Sequence, residues 1–326
     1  MKENSTNHDS GGSHDLINTR NTLARPFLKW AGGKGQLLKK FQEHYPIPLQ
    51  KKEIKNYYEP FLGSGAVFFD VVQQFEIRNA FLYDVNEELV LTYKVIQKDS
   101  GKLTELLYNY QKTYLGFGKA RRQEFFYEQR ANYNSQRLKT NFDKYSELWI
   151  PRAARLIFLN RTCYNGLYRV NSKGEFNTPA GDYINPKICN EKNLFAVNKV
   201  LQIAEIKRAD FTGLIPDLKP HSFVYFDPPY RPISKTAGFK AYSKQGFSDA
   251  EQIRLAGLFK QIDSQGSYVM LSNSDPKNHD PTDNFFDTLY KDFSICRIPA
   301  RRMINSDPSK RGNINEILVT NYLAPN

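Results

Sequence analysis

An apolar run over residues 223–226 passes directly into the tetrapeptide Asp227-Pro228-Pro229-Tyr230. Two consecutive prolines cannot continue a central strand, because proline has no backbone N–H to donate to a neighbouring strand. The run therefore predicts a buried strand that ends at Asp227. Open α/β sheets bind ligands at the carboxyl ends of their strands, so these four residues are the first candidates for a catalytic site. A proline-rich turn without a chemical role is the alternative.

The same tetrapeptide suits chemistry on an amino group. The exocyclic amine of a nucleobase is a poor nucleophile, because its lone pair is delocalised into the ring. The Asp227 carboxylate can accept one of its N–H groups and the Pro228 carbonyl, fixed by the ring of Pro229, can accept the other. Tyr230 can then stack on the base. A base held in this way must first leave the double helix, so the pattern predicts a reaction on a flipped base.

A second candidate site is the glycine-rich segment EPFLGSG, residues 59–65, which an apolar run ending at Asp84 follows. Gly63 and Gly65 allow the backbone to approach a ligand closely, and an acid at the next strand end can accept both hydroxyls of a ribose. The dinucleotide pattern G-x-G-x-x-G is incomplete here, so the ligand need not be a dinucleotide. An ordinary glycine turn is the alternative.

A third segment, KWAGGK at residues 29–34, is a basic turn with a central tryptophan. It does not match the phosphate-loop pattern G-x-x-x-x-G-K-[ST], which disfavours an ATPase. Trp30, between Lys29 and the glycines, can cover an adenine ring or touch a DNA backbone. A surface turn is the alternative.

The charge of the chain points to a polyanionic partner. The 326 residues carry a formal net charge of +12, and residues 110–175 hold 13 Lys and Arg against 5 Asp and Glu, together with 13 aromatic residues. Basic side chains interleaved with rings suit phosphate contacts and base stacking, although a solvated basic face over an aromatic core gives the same composition.

The three cysteines and five histidines are scattered, without disulfide or metal-ligand spacing, so we expect no metal and a reducing cytoplasm. No apolar stretch is long enough for a membrane span.

The pattern of elements divides the chain into four parts. Residues 1–24 are polar and read as a disordered tail. Residues 25–90 and 196–326 alternate short apolar runs with amphipathic segments, as an α/β sheet does. Residues 91–195 are charged and mostly helical in pattern, ending in a Gly, Asn and Pro-rich segment. We expect one discontinuous α/β domain that is interrupted by a second, mostly helical domain.

Together these motifs resemble the Dam family of DNA adenine methyltransferases, α-class amino-methyltransferases that use S-adenosylmethionine. FLKWAGGK, EPFLGSGAVF, Asp84, FLNRTCYNGLYRVNSKGEFNTP and DPPY occur in the order of the family, from about Pro26 to Tyr322. The resemblance implies a Rossmann-like methyltransferase sheet, with residues 91–195 as the DNA target-recognition domain. It implies transfer of a methyl group to the amino nitrogen of adenine in double-stranded DNA, within GATC in most relatives that carry this insert.

The resemblance also assigns residues. Those expected at the cofactor are Trp30, Ala31, Gly32, Lys34, Glu59, Phe61, Gly63, Gly65, Asp84 and Asp227. Those expected at DNA are Lys29, Arg161, Tyr164, Asn165, Leu167, Arg169, Asn171, Pro179 and Tyr183. Arg169 matches the arginine that reads guanine, in agreement with the bidentate pairing of arginine and guanine.

One departure concerns the DNA contact. The family reads PFGRY or PYGRY where this chain has PAGDY, residues 179–183. Asp182 therefore occupies a position at which the family has a basic residue close to a DNA phosphate. Either a neighbour such as Lys187 compensates for the lost contact, or the set of contacted phosphates differs.

Further expectations concern partners and rivals. We expect a monomer in a bacterial or phage-infected cytoplasm, with a restriction endonuclease as a possible companion. The rival functions are methylation of cytosine, of RNA or of a protein glutamine, and a DNA-binding protein that keeps the fold without catalysis.

Overall fold

The computed structural model describes residues 22–231, 247–301 and 313–324. Nine α-helices and seven strands occur in this part of the chain. In chain order they are α1 (Leu38–Gln42), α2 (Ile47–Gln50), β1 (Asn56–Glu59), α3 (Ala66–Gln74), β2 (Asn79–Asp84), α4 (Glu87–Gly116), α5 (Lys119–Arg137), α6 (Trp149–Thr162), α7 (Glu191–Leu201), β3 (Ala204–Arg208), β4 (Phe223–Phe226), α8 (Asp249–Ser264), β5 (Tyr268–Ser274), α9 (Phe285–Leu289), β6 (Ser294–Arg301) and β7 (Asn313–Thr320).

The seven strands form one mixed sheet in the order β3-β2-β1-β4-β5-β7-β6. Strands β1 to β5 pair in parallel, whereas β7 is antiparallel to both β5 and β6. The strand order reverses between β1 and β4, which is where open α/β sheets bind their ligands. The predicted α/β class and the strand before Asp227 are confirmed, and β6 is a strand that the sequence patterns did not indicate.

The sheet is buried on both faces, as a parallel sheet requires. All four residues of β4 are buried. One apolar cluster joins sheet residues such as Tyr57 and Tyr225 to Trp149 and Phe158 of α6. The other cluster packs Val224 and its neighbours against α8. The helical insert is therefore continuous with the core of the sheet.

The domain limits expected at residues 90 and 195 fall within α4 and α7. The backbone of α4 leaves helical geometry at Asp99, with φ −132° and ψ 41°. Before this kink, Gln97 donates hydrogen bonds to the carbonyls of Leu201 and Ala204, 2.7 and 2.8 Å away. The first part of α4 therefore packs with the sheet, and the separation into two domains is less sharp than the sequence indicates.

The expected tail needs one correction. Residues 1–21 lie outside the described residues, but Ala24 is buried. Its backbone N–H donates to Oε1 of Gln73 at 2.6 Å, and its carbonyl accepts from Nε2 of the same side chain at 3.0 Å. Ala24 therefore belongs to the folded domain. None of the helices in the described ranges has both the length and the apolar character that crossing a bilayer requires.

A buried ion pair fastens the insert to the start of α4. The carboxylate of Glu88 accepts from Nε of Arg152 at 2.7 Å and from Nη1 of Arg137 at 3.0 Å. Arg152 also donates to the carbonyl of Tyr133 at 2.8 Å. Glu88 and Arg152 are almost completely shielded from water, so neither charge can be solvated if its partner is lost.

We expect Glu88→Ala to lower the free energy of unfolding by about 3–5 kcal/mol, because the Arg152 charge would stay buried without its counter-ion. Urea denaturation measures this change. Glu147→Ala removes an exposed pair with Lys102 and serves as the control, with no measurable change expected. Equal losses in the two variants would contradict the role of the buried pair.

Candidate functional site

Three acidic residues lie at the carboxyl ends of neighbouring strands. Glu59 ends β1, Asp84 ends β2, and Asp227 directly follows β4. The sheet order places β1 between β2 and β4, so all three acids share one edge of the sheet. The tertiary structure thus brings the predicted glycine-rich segment and the predicted catalytic tetrapeptide together.

Asp84 is held as a fixed acceptor beside the glycine-rich loop. Its Oδ2 accepts from the backbone N–H of Gly63 at 3.0 Å, and its Oδ1 accepts from that of Asn86 at 2.8 Å. Burial raises the pKa of the Asp84 carboxyl, and the two backbone hydrogen bonds oppose that rise. An acceptor of this kind, one strand away from the loop, fits the ribose of a nucleoside ligand.

The glycines of this loop are required by its geometry. Gly63 and Gly65 have φ of +47° and +67°, in the left-handed region. A Cβ on Gly63 would lie 3.3 Å from Cδ1 of Trp30, and one on Gly65 would lie 2.6 Å from the hydroxyl of Tyr93. The loop therefore packs directly against the basic turn at residues 29–34, as a shared ligand site requires.

The ring of Trp30 stacks on Tyr168, with centroids 5.1 Å apart and planes inclined by 23°. Tyr168 belongs to the segment expected to read DNA, so the tryptophan links the basic turn to that segment. Ala31 and Gly32 are exposed beside it.

Lys34 lies among the predicted catalytic residues rather than at the surface of its turn. Its ammonium is 2.8 Å from Oδ1 of Asp227, 2.9 Å from the hydroxyl of Tyr230 and 3.5 Å from Oε2 of Glu316. It also donates to the carbonyl of Gly32 at 3.2 Å. Burial opposes the charge, but the negative field of Asp227, Tyr230 and Glu316 raises the pKa of Lys34 above its ordinary value. The amine is therefore protonated.

Asp227 and Tyr230 are held by residues that the motifs did not reveal. Ser272 on β5 donates to Oδ1 of Asp227 at 3.2 Å, and Glu316 on β7 accepts from the Tyr230 hydroxyl at 2.6 Å. Burial raises the pKa of the Asp227 carboxyl, whereas Lys34 lowers it. The only sequence signal for Glu316 is an acidic residue at the start of the apolar run EILV.

Two further predicted cofactor residues have intramolecular partners. The Glu59 carboxyl is buried and accepts from the Tyr57 hydroxyl at 2.6 Å, and burial raises its pKa well above the usual value. Phe61 stacks on Phe211, with centroids 5.5 Å apart, and meets Phe247 edge-on. Glu59 thus faces the interior, while Phe61 forms part of an aromatic wall beside the loop.

The predicted DNA-reading residues cluster at the end of α6. The backbone N–H of Tyr164 donates to the carbonyl of Pro179 at 2.9 Å, which places these two residues side by side. Arg169 lies on a hairpin, where its Nε donates to Asn177 at 2.9 Å. Six of the nine predicted DNA residues are exposed, namely Lys29, Tyr164, Asn165, Leu167, Arg169 and Pro179.

Several of the predicted DNA residues make contacts with other parts of the protein. Arg161 is turned inward, and its Nη2 donates to the carbonyl of Phe27 at 2.6 Å. Asn171 closes the hairpin turn by accepting from the backbone of Lys173 at 2.9 Å. The ammonium of the exposed Lys29 lies 5.0 Å from the ring centre of Tyr183. The structure thus gives Arg161 and Asn171 contacts within the protein.

Asn160, which no motif singled out for a role, joins the two halves of the site. Its Oδ1 accepts from the backbone N–H of Lys29 at 2.8 Å, and its Nδ2 donates to the carbonyls of Lys29 and Gly166, each at 2.9 Å. Gly166 must be glycine, because it has φ +66° and its Cβ would overlap the Lys29 side chain. One buried amide therefore sets the distance between the basic turn and the DNA-reading segment.

Asp182 is paired with a lysine from the insert. Nζ of Lys119, at the start of α5, lies 2.7 Å from Oδ2 of Asp182, and both side chains are exposed. The neighbour that faces Asp182 is therefore Lys119, whereas the sequence suggested Lys187. The two residues line a groove of about 370 Å³ together with Tyr114, Arg122 and Tyr183.

Comparison with known proteins shows the family of the chain. The family model for D12 class N6 adenine-specific DNA methyltransferases matches residues 30–304. The chain is 45% identical to the Type II methyltransferase M.MjaIII of Methanocaldococcus jannaschii, over 91% of this chain and 99% of the relative. It is 39% identical to the Type II methyltransferase M1.LlaDCHI of Lactococcus lactis subsp. cremoris, over 94% and 99%. It is 30% identical to a DNA adenine methylase of Vibrio cholerae, over 90% and 95%.

We expect Gly65→Ala to destabilise the fold by about 1–3 kcal/mol and to weaken binding of S-adenosylmethionine, because alanine is strained at this φ and its Cβ meets the Tyr93 hydroxyl. Thermal unfolding and titration calorimetry measure the two effects. Adding Tyr93→Phe removes the hydroxyl and is expected to restore part of both losses, with Tyr93→Phe alone as the control. An unchanged affinity in Gly65→Ala would exclude a close approach of ligand and loop.

Proposed function

The chain belongs to the D12 class N6 adenine-specific DNA methyltransferases, and from this premise we propose that it flips the target adenine into the site at Asp227, within GATC. The enzyme uses S-adenosylmethionine as its methyl donor, and its substrate is DNA. The base flipping, the target sequence and the roles of the individual residues form the proposal.

The position of Asp227 carries this proposal. Its carboxylate lies at the carboxyl end of β4, next to the glycine-rich loop, with Lys34 2.8 Å away. The carboxylate accepts an N–H of the adenine amine, and the Pro228 carbonyl accepts the other, so the nitrogen lone pair becomes available. Tyr230, with 39% of its side chain exposed, offers a ring on which the base stacks.

The same edge of the sheet fits the methyl donor. Asp84 is oriented toward the loop by its hydrogen bonds, and the two left-handed glycines let the loop pack closely against Trp30 and Tyr93. Bound there, S-adenosylmethionine would supply a methyl group on a positively charged sulfur. The amine nitrogen would bond to the methyl carbon as the C–S bond breaks and S-adenosylhomocysteine leaves, and the nitrogen would then lose a proton to solvent or to Asp227. Trp30, Phe61 and the neighbouring predicted cofactor residues surround this position.

The hairpin segment after α6 recognises the DNA target sequence. The exposed Arg169 guanidinium presents the donors that match the O6 and N7 acceptors of guanine. Leu167, Pro179 and Tyr183 complete the base-reading surface, and Lys29, Tyr164 and Asn165 contact the strands around it. Arg161 and Asn171 then act by holding the segment in shape. GATC follows from the resemblance of this segment to the Dam family.

The partners are also part of the proposal. Two of the relatives are named as Type II methyltransferases, which favours a companion restriction endonuclease for this enzyme in a cytoplasmic setting. A monomer is sufficient, because all the groups named above come from one chain.

The proposal is tested by incubating unmethylated plasmid with the enzyme and S-adenosylmethionine, followed by sequencing that detects modified bases. We expect N6-methyladenine confined to GATC. Asp227→Ala is expected to lower turnover by at least about 100-fold and to leave duplex binding nearly intact, with the surface variant Asp292→Ala as the control. Methylation at another motif would refute the base-reading assignment. Full activity of Asp227→Ala would refute the role of Asp227.

A second prediction concerns Asp182. We propose that Lys119 supplies the phosphate contact that this position cannot make, since it reaches the same groove from α5. Each lost phosphate contact makes the slope of log Kobs against log salt shallower by about 0.9. We expect this change for Lys119→Ala in DNA-binding titrations, and no change for Lys260→Ala on α8. An unchanged slope for Lys119→Ala would remove Lys119 from the footprint.

A further inference from the structure

The Lys34 ammonium has two carboxylate neighbours and uses them unequally. It lies 2.8 Å from Oδ1 of Asp227 but 3.5 Å from Oε2 of Glu316. Lys34 is 3% exposed and the Glu316 side chain 9%, so water does not compete freely for either charge. The ammonium is therefore paired with Asp227, and a small movement would bring it within hydrogen-bonding distance of Glu316.

Within the described part of the chain, only one of the two carboxylate oxygens of Glu316 has a hydrogen-bond donor. Its Oε1 accepts from the Tyr230 hydroxyl at 2.6 Å. Its Oε2 is buried and has no hydrogen-bond donor among the described residues. Buried carboxylate oxygens are normally hydrogen-bonded, so Oε2 of Glu316 can still accept a donor.

In Asp227, by contrast, one carboxylate oxygen has two donors. The same atom, Oδ1, accepts from both Lys34 and Ser272, and a carboxylate oxygen offers about two lone-pair positions. The ammonium also lies over the Tyr230 ring, 4.6 Å from its centre, where the target base is proposed to stack. An adenine amine that donates to Oδ1 beside that ring must therefore displace one of the two donors. Ser272 is fixed by a 2.7 Å hydrogen bond to the Tyr225 hydroxyl, whereas Lys34 is at the end of a flexible chain. The lysine is therefore the group that moves.

A buried ammonium cannot leave one carboxylate without reaching another, because an unpaired charge in the interior is strongly unfavourable. We propose that Glu316 is a positioning residue that receives the Lys34 ammonium on Oε2 when the target amine takes its place on Asp227. This inference rests on the proposed binding of a flipped adenine at Asp227. Tyr230 donates to Glu316 on the other oxygen, so its ring stays in place during the transfer.

The charge of Glu316 is what the inference requires. In Glu316→Gln the Oε1 acceptor for Tyr230 is retained, while Oε2 is replaced by an amide nitrogen that cannot accept from an ammonium. Lys34 then stays on Asp227, and the amine of the target competes with it. The variant should therefore lose the ability to recognise the amino group specifically, rather than the ability to bind DNA.

The test compares two duplexes that differ at the target position, one with adenine and one with purine, which lacks the amino group. Affinities are measured with S-adenosylhomocysteine present, so that no transfer occurs. The quantity of interest is the ratio of the two affinities. We expect Glu316→Gln to reduce the preference for adenine over purine about tenfold relative to the wild type, the equivalent of one hydrogen bond to a charged group.

The outcomes separate the two proposals. If Asp227→Ala leaves the adenine-to-purine ratio unchanged, the proposed function fails, because the amine is not recognised at Asp227. If Asp227→Ala changes the ratio but Glu316→Gln does not, the proposed function stands and the transfer of Lys34 is refuted. Equal weakening of both duplexes in Glu316→Gln would also overturn the inference, since it would show a purely structural role.

A second comparison keeps the test decisive if Glu316→Gln folds poorly. Lys34→Met and Lys34→Met/Glu316→Gln both lack the ammonium, and the double variant removes the two opposite charges together. If Glu316 acts through Lys34, the two variants have the same adenine-to-purine ratio. A lower ratio in the double variant would mean that Glu316 acts on the target without the lysine.

Discussion

The buried Lys34 ammonium is the interaction on which the site depends. It connects a turn near the start of the chain to Asp227 after β4 and to Glu316 on β7, all within 3.5 Å. A buried ammonium is stabilised by the carboxylates around it, and a cation between two adjacent carboxylates offsets their mutual repulsion. Each group therefore fixes the position of the others.

The antiparallel strand β7 supplies one of these three groups. β7 lies beside β5, and the return of the chain brings Glu316 to the edge where the parallel strands end. The parallel pairing of β4 with β5 puts Ser272 of β5 beside Asp227. The proposed catalytic tetrapeptide is thus supported from strands on the far side of β4, while the glycine-rich loop approaches from β1.

The insert is joined to the catalytic sheet by packing and by polar contacts. Its helices share the apolar core of one sheet face, the Glu88 and Arg152 pair fixes α4 to α6, and Asn160 holds both the basic turn and the Gly166 turn. Because close-packed cores transmit displacements, a shift of the predicted DNA-reading segment would also displace Trp30 and Lys34. The proposed recognition and catalytic sites therefore belong to one packed unit.

The sequence by itself determined the fold class, the strands that end at Asp84 and Asp227, and the glycines that the loop needs. These features are local, since an apolar run, a pair of prolines or a left-handed glycine acts through the backbone of its own segment. Only the tertiary structure decided the partners of Lys34, the inward turn of Arg161, the pairing of Asp182 with Lys119, and the contacts of Glu316, Ser272 and Asn160. These depend on contacts between residues far apart in the chain, which sheet order and burial establish and which no local pattern encodes.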